Sequence, residues 1–260
     1  MNKPQVVCIP GSVAPAAQRY RPLIDGVGDA ADLHLRDLEV YREATPAPGY
    51  SIDEELEAID RFADSKGLRR FHLVGYSGGG YISLAYAGTR PERVISLALF
   101  EPAQIPGKLS DEEQGMFDSL EAKLRGLQGA EFMATFVREQ LKPGVPMPPP
   151  PPPGPPSPEM QKRPAGIAAL IRAFQAFQFD RARFTEGQFP VFLGYGQQTH
   201  EFQQLQAGVL AWLFADIHVR RYAGIHHFVP PEMIYTWEHV GALLDMWQRA
   251  ERSAGELSLK

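Results

Sequence analysis

The chain is poor in cysteine: one in 260 residues, Cys8, so no internal disulfide can staple it. Cys8 lies inside the apolar run Val6-Val7-Cys8-Ile9 and reads as a small buried hydrophobe, not a nucleophile. Positive charge is not in excess either. The net charge of -5 argues against nucleic acid or an anionic membrane surface as partner. No apolar run approaches the ~20 residues of a membrane span. The run after Met1-Asn2-Lys3-Pro4 is too short for a secretory signal, so cytoplasmic residence is the expectation. The adjacent pair His226-His227 has no ligand cluster around it and neighbouring side chains diverge, so no metal is expected there. No internal repeat is visible. What remains is an ordinary globular composition, 44% hydrophobic and 22% charged, long enough for one large core or a core with an insertion.

The first hundred residues alternate strand and helix patterns. Val6–Ile9 is a short β-branched run closed by Pro10-Gly11, and a helix is expected around Ala17–Ile24. Residues 31–38 alternate as a strand. Ser51-Ile52-Asp53-Glu54 opens a helix with capping-box spacing, with Leu56, Ile59, Phe62 and Ala63 on its inner face. Residues 70–75 and Val94–Phe100 are buried-type strands. Such alternation predicts a mostly parallel sheet with helices on both faces and sites at the carboxyl ends of its strands. From 107 to 187 the strand signal is lacking. Met116, Phe117, Leu120 and Leu124 recur at helical spacing, as do Phe132, Met133, Phe136 and Val137, then Ile167, Leu170, Ile171 and Phe174. Strands return at 190–196 and 217–222, and a last helix carries Ile234, Trp237, Val240, Leu244 and Trp247. The proline run 146–158 favours polyproline II and reads as a stiff strap; it also contains P-x-x-P, a pattern that aromatic grooves recognise.

The chemistry-bearing stretch is Gly75-Tyr76-Ser77-Gly78-Gly79, which matches G-x-S-x-G with a strand before it and a helix after it. Glycines two residues either side of the serine avoid a Cβ clash across so sharp a turn. The turn lifts the Ser77 hydroxyl above the sheet, at a helix N-terminus that favours negative charge.

Residues 71–87 resemble the nucleophile elbow of the α/β-hydrolase superfamily. The resemblance implies an α/β fold with a mostly parallel central sheet, helices on both faces and an inserted all-helical cap. It divides the chain into a core of residues 1–106 and 188–260 and a cap of residues 107–187. Two early strands found in many relatives are not expected here. By the same resemblance Ser77 is the nucleophile. The backbone N–H groups of Gly78 and Ser12 form the oxyanion hole, with Val13 the alternate to Ser12. Pro10-Gly11 stands where His-Gly is commoner. The loop 224–230, similar to Gly-x-x-His-Phe, supplies His227 as general base, with His226 the alternate. His72 is expected to be structural, and His200, His218 and His239 lie at the wrong places for a proton relay. Many relatives carry the acid in Gly-x-x-Asp after the strand at 190–196. Here the matching position is Thr199, which has no charge. Glu101, ending the strand 94–100 before Pro102, is the expected replacement. Glu201 is the alternate, while Asp180 reads as an ion pair closing the cap.

These residues imply a serine esterase for small to medium, largely apolar substrates, with a small-molecule ester as partner and no cofactor. Oligomeric state is left open. The alternatives are other Ser-His-acid chemistry on the same fold (lactonase, carbon–carbon bond hydrolase, aminopeptidase, perhydrolase), a non-catalytic ligand-binding form, or scaffolding through the proline run.

Overall fold

The computed structural model describes residues 3–149 and 154–257. Its sheet contains β1 (Gln5–Ile9), β2 (Asp32–Leu35), β3 (Phe71–Tyr76), β4 (Val94–Phe100), β5 (Val191–Gly196) and β6 (Ile217–Tyr222). All six run parallel, in the order β2-β1-β3-β4-β5-β6. Parallel strands need crossovers, and helices supply them. These are α1 (Ala16–Arg19) and α2 (Arg21–Val27) before β2, α3 (Ile52–Ser65) before β3, and α4 (Gly78–Thr89) before β4. α9 (Phe202–Leu213) precedes β6, and α10 (Pro231–Ile234) and α11 (Trp237–Leu257) close the chain.

Period-two side-chain alternation divides the interior into two cores. Val7, Ile9, Leu73, Leu97, Leu99, Val191 and Leu193 pack on one face with residues of α3, α4 and α9. Val6, Cys8, Val74, Tyr76, Ala98, Phe100 and Phe192 pack on the other with residues of α2 and α11. Every residue of β3 and β4 is buried, as befits central strands covered on both sides. The chain leaves β1 toward β2, then returns to β3 on the opposite side of β1. The loops after β1 and β3 therefore diverge to opposite faces, and a crevice opens between them.

Four details differ from the pattern reading. The last helix is split, Ile234 ending α10 and Trp237 opening α11. The helix around 17–24 is two short helices split at Tyr20, because Pro22, at the start of α2, cannot continue a helix from α1. β2 stops at Leu35, where Arg36 turns inward onto Glu55 at 3.1 Å. Asp180 closes no ion pair among the described residues: its carboxylate accepts the Ala182 N–H at 2.9 Å and caps the short 3-10 turn 181–186. The neighbouring Arg181 makes the ion pair instead, 2.8 Å from Glu113, and also donates to the carbonyls of Ile105 and Pro106.

Between β4 and β5 the described residues form α5 (Asp111–Leu124), α6 (Gly129–Glu139), α7 (Pro158–Gln161) and α8 (Arg163–Ala176), without a named strand. α5 opens with a capping box between Ser110 and Glu113. Leu124, Phe132, Phe136 and Ile167 give these helices a small core of their own. A bridge between Leu141 and Thr199 stitches them to the loop after β5. Of the proline run, residues 150–153 lie outside the described residues, and the described parts carry no regular structure up to α7.

His72 is fully buried, bonded to Ser96 at 2.8 Å and Glu251 at 3.3 Å. His239 is buried against Tyr222, 2.7 Å from its hydroxyl. Burial, reinforced by Arg220, pushes His239 down from 6.5 to about 4. The unfolded chain then binds the extra proton first, so stability is intact above pH 6.5 and is lost as pH falls towards 4. The loss from this residue is about 1.4 kcal/mol per pH unit in that window. His239→Phe is expected to flatten the acid limb in urea unfolding at pH 7, 5.5 and 4.5. Equal slopes for the two proteins would show that His239 protonates freely in the fold.

Candidate active site

β3 and β4 end level, Tyr76 opposite Phe100. The next residue in each strand is a non-glycine with left-handed backbone, Ser77 at φ 53° and Glu101 at φ 46°. Ser77 is held by its N–H to the Phe100 carbonyl at 3.1 Å, and Glu101 by its N–H to Gly194 at 3.0 Å. The bend at Ser77 is possible because its neighbours are glycines. A Cβ on Gly75 would meet Gly79 O at 2.8 Å, and one on Gly79 would collide with the Pro10 carbonyl.

The loop after β6 brings in His227, 2% exposed. His227 Nδ1 is 2.6 Å from Glu101 Oε2, and its Nε2 is 3.0 Å from Ser77 Oγ. An ionised carboxylate only accepts, so Nδ1 carries the proton and Nε2 accepts from the serine hydroxyl. The other carboxylate oxygen, Oε1, accepts the Gly196 N–H at 2.6 Å and the Thr199 hydroxyl. A fully buried carboxylate thus has three donors around it, which is what its desolvation requires. Thr199 contributes a hydrogen bond where a carboxylate was sought.

Glu201 is exposed at the start of α9 and bonds neither histidine 226 nor 227. His226 is half-buried, with its Nδ1 accepting the Phe228 N–H at 3.1 Å; burial lowers its pKa. Gly78 opens α4, where the first N–H groups lack helical partners. A Cβ on Gly78 would lie 2.5 Å from Ser12 Oγ and 3.8 Å from Ser12 N, so these two residues face each other across the crevice. Val13 is partly buried and packs on the core of the inserted helices.

A cavity of about 500 Å³ opens beside Ser77 and Ser12. α5 and α6 wall it with Met116, Phe117, Leu120 and Phe136, and α8 with Ile167, Leu170, Ile171 and Phe174. Asp111, Glu112, Glu139 and Glu201 border it with Lys123, which Glu139 pairs at 2.6 Å. Its surroundings are therefore acidic around an apolar interior.

Two supports were missed in the sequence. Tyr76 stacks on the His227 ring at 5.1 Å and donates its hydroxyl to the His227 carbonyl. Its place between Gly75 and Ser77 was visible, its function was not. Arg163 reaches the Ser12 carbonyl from α8. An arginine following a proline run carries no signal that separates it from a solvated charge.

A family model described as alpha/beta hydrolase fold matches residues 6–233. An alpha/beta hydrolase from Sphaerobacter thermophilus superposes with a TM-score of 0.65 at 21% identity, covering 95% of this chain and 93% of that one. A thermophilic esterase from Thermogutta terrifontis gives 0.68 at 16%, covering 96% and 91%. At these identities the likeness is one of fold. A monoacylglycerol lipase of Xenopus laevis is 45% identical over 56 residues, 21% of this chain and 17% of the lipase. The matched segments thus span about a fifth of the curated relatives' length.

The crowding at the bend sets a stability test. In Gly79→Ala the new methyl has backbone on its far side, and the expected cost is about 3 kcal/mol in urea unfolding. Gly208→Ala in α9, with nothing within 4 Å, is expected to stabilise by about 0.5–1 kcal/mol. Similar effects for the two would mean the bend is not close-packed.

Proposed function

The chain belongs to the alpha/beta hydrolase fold family, and from that premise we propose that it is a serine hydrolase of carboxylic esters acting through Ser77. The observation that carries this reading is the unbroken run of hydrogen bonds from Ser77 Oγ through His227 to Glu101, opening onto an apolar cavity. A serine hydroxyl is a weak nucleophile and needs such a base. Ser77 Oγ attacks the ester carbonyl carbon while His227 Nε2 takes its proton. Glu101 keeps the imidazole in the required tautomer and stabilises its cation. The N–H groups of Gly78 and Ser12 hold the oxyanion. Collapse expels the alcohol, which takes the proton from His227. Water then attacks the acyl group with His227 again as base, releasing the carboxylic acid and restoring Ser77.

Residues 107–187 act as a cap in this reading, walling the acyl or alcohol group with aliphatic and aromatic side chains. The apolar interior suits small to medium uncharged esters, and the acidic surroundings disfavour anionic ones.

The test is fluorophosphonate labelling with peptide mapping, alongside hydrolysis of p-nitrophenyl acetate and butyrate. Label is expected on Ser77 and lost in His227→Ala. Ser77→Ala is expected to lower kcat on the order of 10⁴ or more. Glu101→Gln should cost on the order of 10³–10⁴ with Glu201→Gln near wild type. Activity lost only in Glu201→Gln would reassign the acid. Labelled Ser77 with background ester hydrolysis would move the assignment to other Ser-His-acid chemistry, and an unlabelled protein would favour ligand binding without catalysis.

The anchoring of these helices offers a second check. Burial raises the Glu113 carboxyl, but the bonds from Arg181 and Ser110 outweigh it and leave its pKa below the ordinary value. Such a group stabilises above the ordinary carboxylate range, and that contribution is lost as pH falls through its lowered value. Arg181→Met should cost about 3 kcal/mol at pH 7 by stranding Glu113, and less in acid. A deficit independent of pH would show that the arginine's charge is not what matters.

A further inference from the structure

Arg163 is a charge that the fold keeps at a cost. It opens α8 and is 2% exposed. It heads the stripe Ile167, Leu170, Ile171 and Phe174 that walls the cavity. Its guanidinium lies 4.0 Å from the Tyr41 ring centre, and Nη1 donates to the Ser12 carbonyl at 3.4 Å. The nearest carboxylate is Glu159, 3.7 Å from Nη2 and itself 55% exposed. Arg163 Nε is buried without a partner. Removing a cation from water with so little compensation is unfavourable, and an apolar residue of similar size would be easier to pack there.

What the charge touches is the backbone of the residue that faces Gly78. Ser12 lies in irregular chain between β1 and α1, after a glycine, so no ladder orients its peptide groups. A peptide unit is rigid, so tying down the Ser12 carbonyl directly orients the plane that carries the Val13 N–H and, across the Ser12 Cα, restrains the preceding plane that carries the Ser12 N–H. Oxyanion donors work because they are oriented before charge develops. Gly166, one turn on, lies so close to Tyr41 that a Cβ would strike its ring, which seats α8 beside this loop.

We infer that Arg163 is a positioning residue for the oxyanion site: it anchors the Ser12 carbonyl from α8, so that the helix walling the cavity also orients the donor loop. This rests on the serine-hydrolase reading. The step it serves is unchanged: the carbonyl π pair moves onto oxygen as Ser77 Oγ bonds to carbon, and His227 receives the proton.

The test compares an oxygen ester, p-nitrophenyl butyrate, with its thionoester in the full chain and in Arg163→Met and Arg163→Lys. Sulfur is a poor hydrogen-bond acceptor, so oriented donors favour the oxygen ester selectively. Arg163→Met is expected to lower kcat on the oxygen ester about 10–100-fold with KM within about twofold. The oxygen-to-thiono ratio of kcat/KM should fall by a similar factor, and a trifluoromethyl ketone should bind correspondingly more weakly. Arg163→Lys, which keeps the charge with a single-point donor, should fall about 3–10-fold on the same ratio. It carries the test alone if the Met variant does not fold. Equal losses on both esters, a rise in KM alone, or an unchanged ratio in Arg163→Lys would overturn the inference and leave Arg163 as packing. A wild-type protein that is unlabelled at Ser77 and inactive on the oxygen ester would overturn the hydrolase reading itself, and the inference with it.

Discussion

Two neighbouring strands that end in register, each followed by a residue of the wrong handedness, are the constraint on which this molecule depends. Ser77 and Glu101 are the non-glycine residues with positive φ among those described. Each such conformation costs of order 1–3 kcal/mol and persists only where the surroundings over-determine it. Here they do: β3 and β4 are buried along their whole length, and the ladder continues one bond beyond each strand end. Glu101 also precedes Pro102, and a residue before proline ordinarily holds φ at about −120°, far from the 46° seen here. Pro102 also lies against Gly80 of the α4 entry, where a Cβ would sit 2.9 Å from its Cα. The strained ends throw a hydroxyl and a carboxylate onto the same edge of the sheet.

The imidazole that joins them is positioned by residues that do no chemistry. Tyr76 precedes the serine in the chain yet holds the histidine, by ring stacking and by its hydroxyl. Arg19 lies 3.8 Å from the centre of the same Tyr76 ring. Gly196 has no side chain because the loop carrying His227 crosses against it, with Ile225 O where a Cβ would be. The same crossing lets the Gly196 N–H reach Glu101. The loop after β5 thus meets the Glu101 carboxylate with an amide and a threonine hydroxyl.

This division explains what the sequence could and could not reveal. The elbow was legible because glycine at 75 and 79 answers a local steric demand, and local demands leave local patterns. The strand-and-helix order was legible because β3 and β4 are buried on both faces and read as continuous apolar runs. Glu101 is preferred to Glu201 on a local ground, since it directly follows β4 before Pro102 whereas Glu201 lies beyond the loop after β5; that it meets His227 depends on the pairing of β4 with β5, which is not local. The split at Pro22 is a local signal as well, because a proline cannot continue α1, but apolar spacing alone does not carry it. Of the helices between β4 and β5, α5, α6 and α8 were visible from their periodicity, and the short α7 was not. What each face covers was not, because a stripe such as Ile167, Leu170 and Phe174 looks the same whether it meets another helix or a cavity.

Buried charge is bonded differently near the crevice and away from it. Away from the crevice, Glu55 is fully buried and fully bonded. It accepts from Arg36 at 3.1 Å, from the Val40 N–H at 3.2 Å and from the Tyr50 hydroxyl at 2.8 Å. Such a network explains its own presence: every desolvated atom has a partner. Arg19 and Arg163 do not share that property, since each leaves a buried guanidinium nitrogen without a partner. Both lie at the carboxyl end of the sheet, one at the ring that holds His227 and the other at the carbonyl of Ser12. A folding argument alone would replace either with a hydrocarbon. That incomplete bonding sits beside the strained residues, and the stability it forgoes is drawn from the two large cores on either side of the sheet.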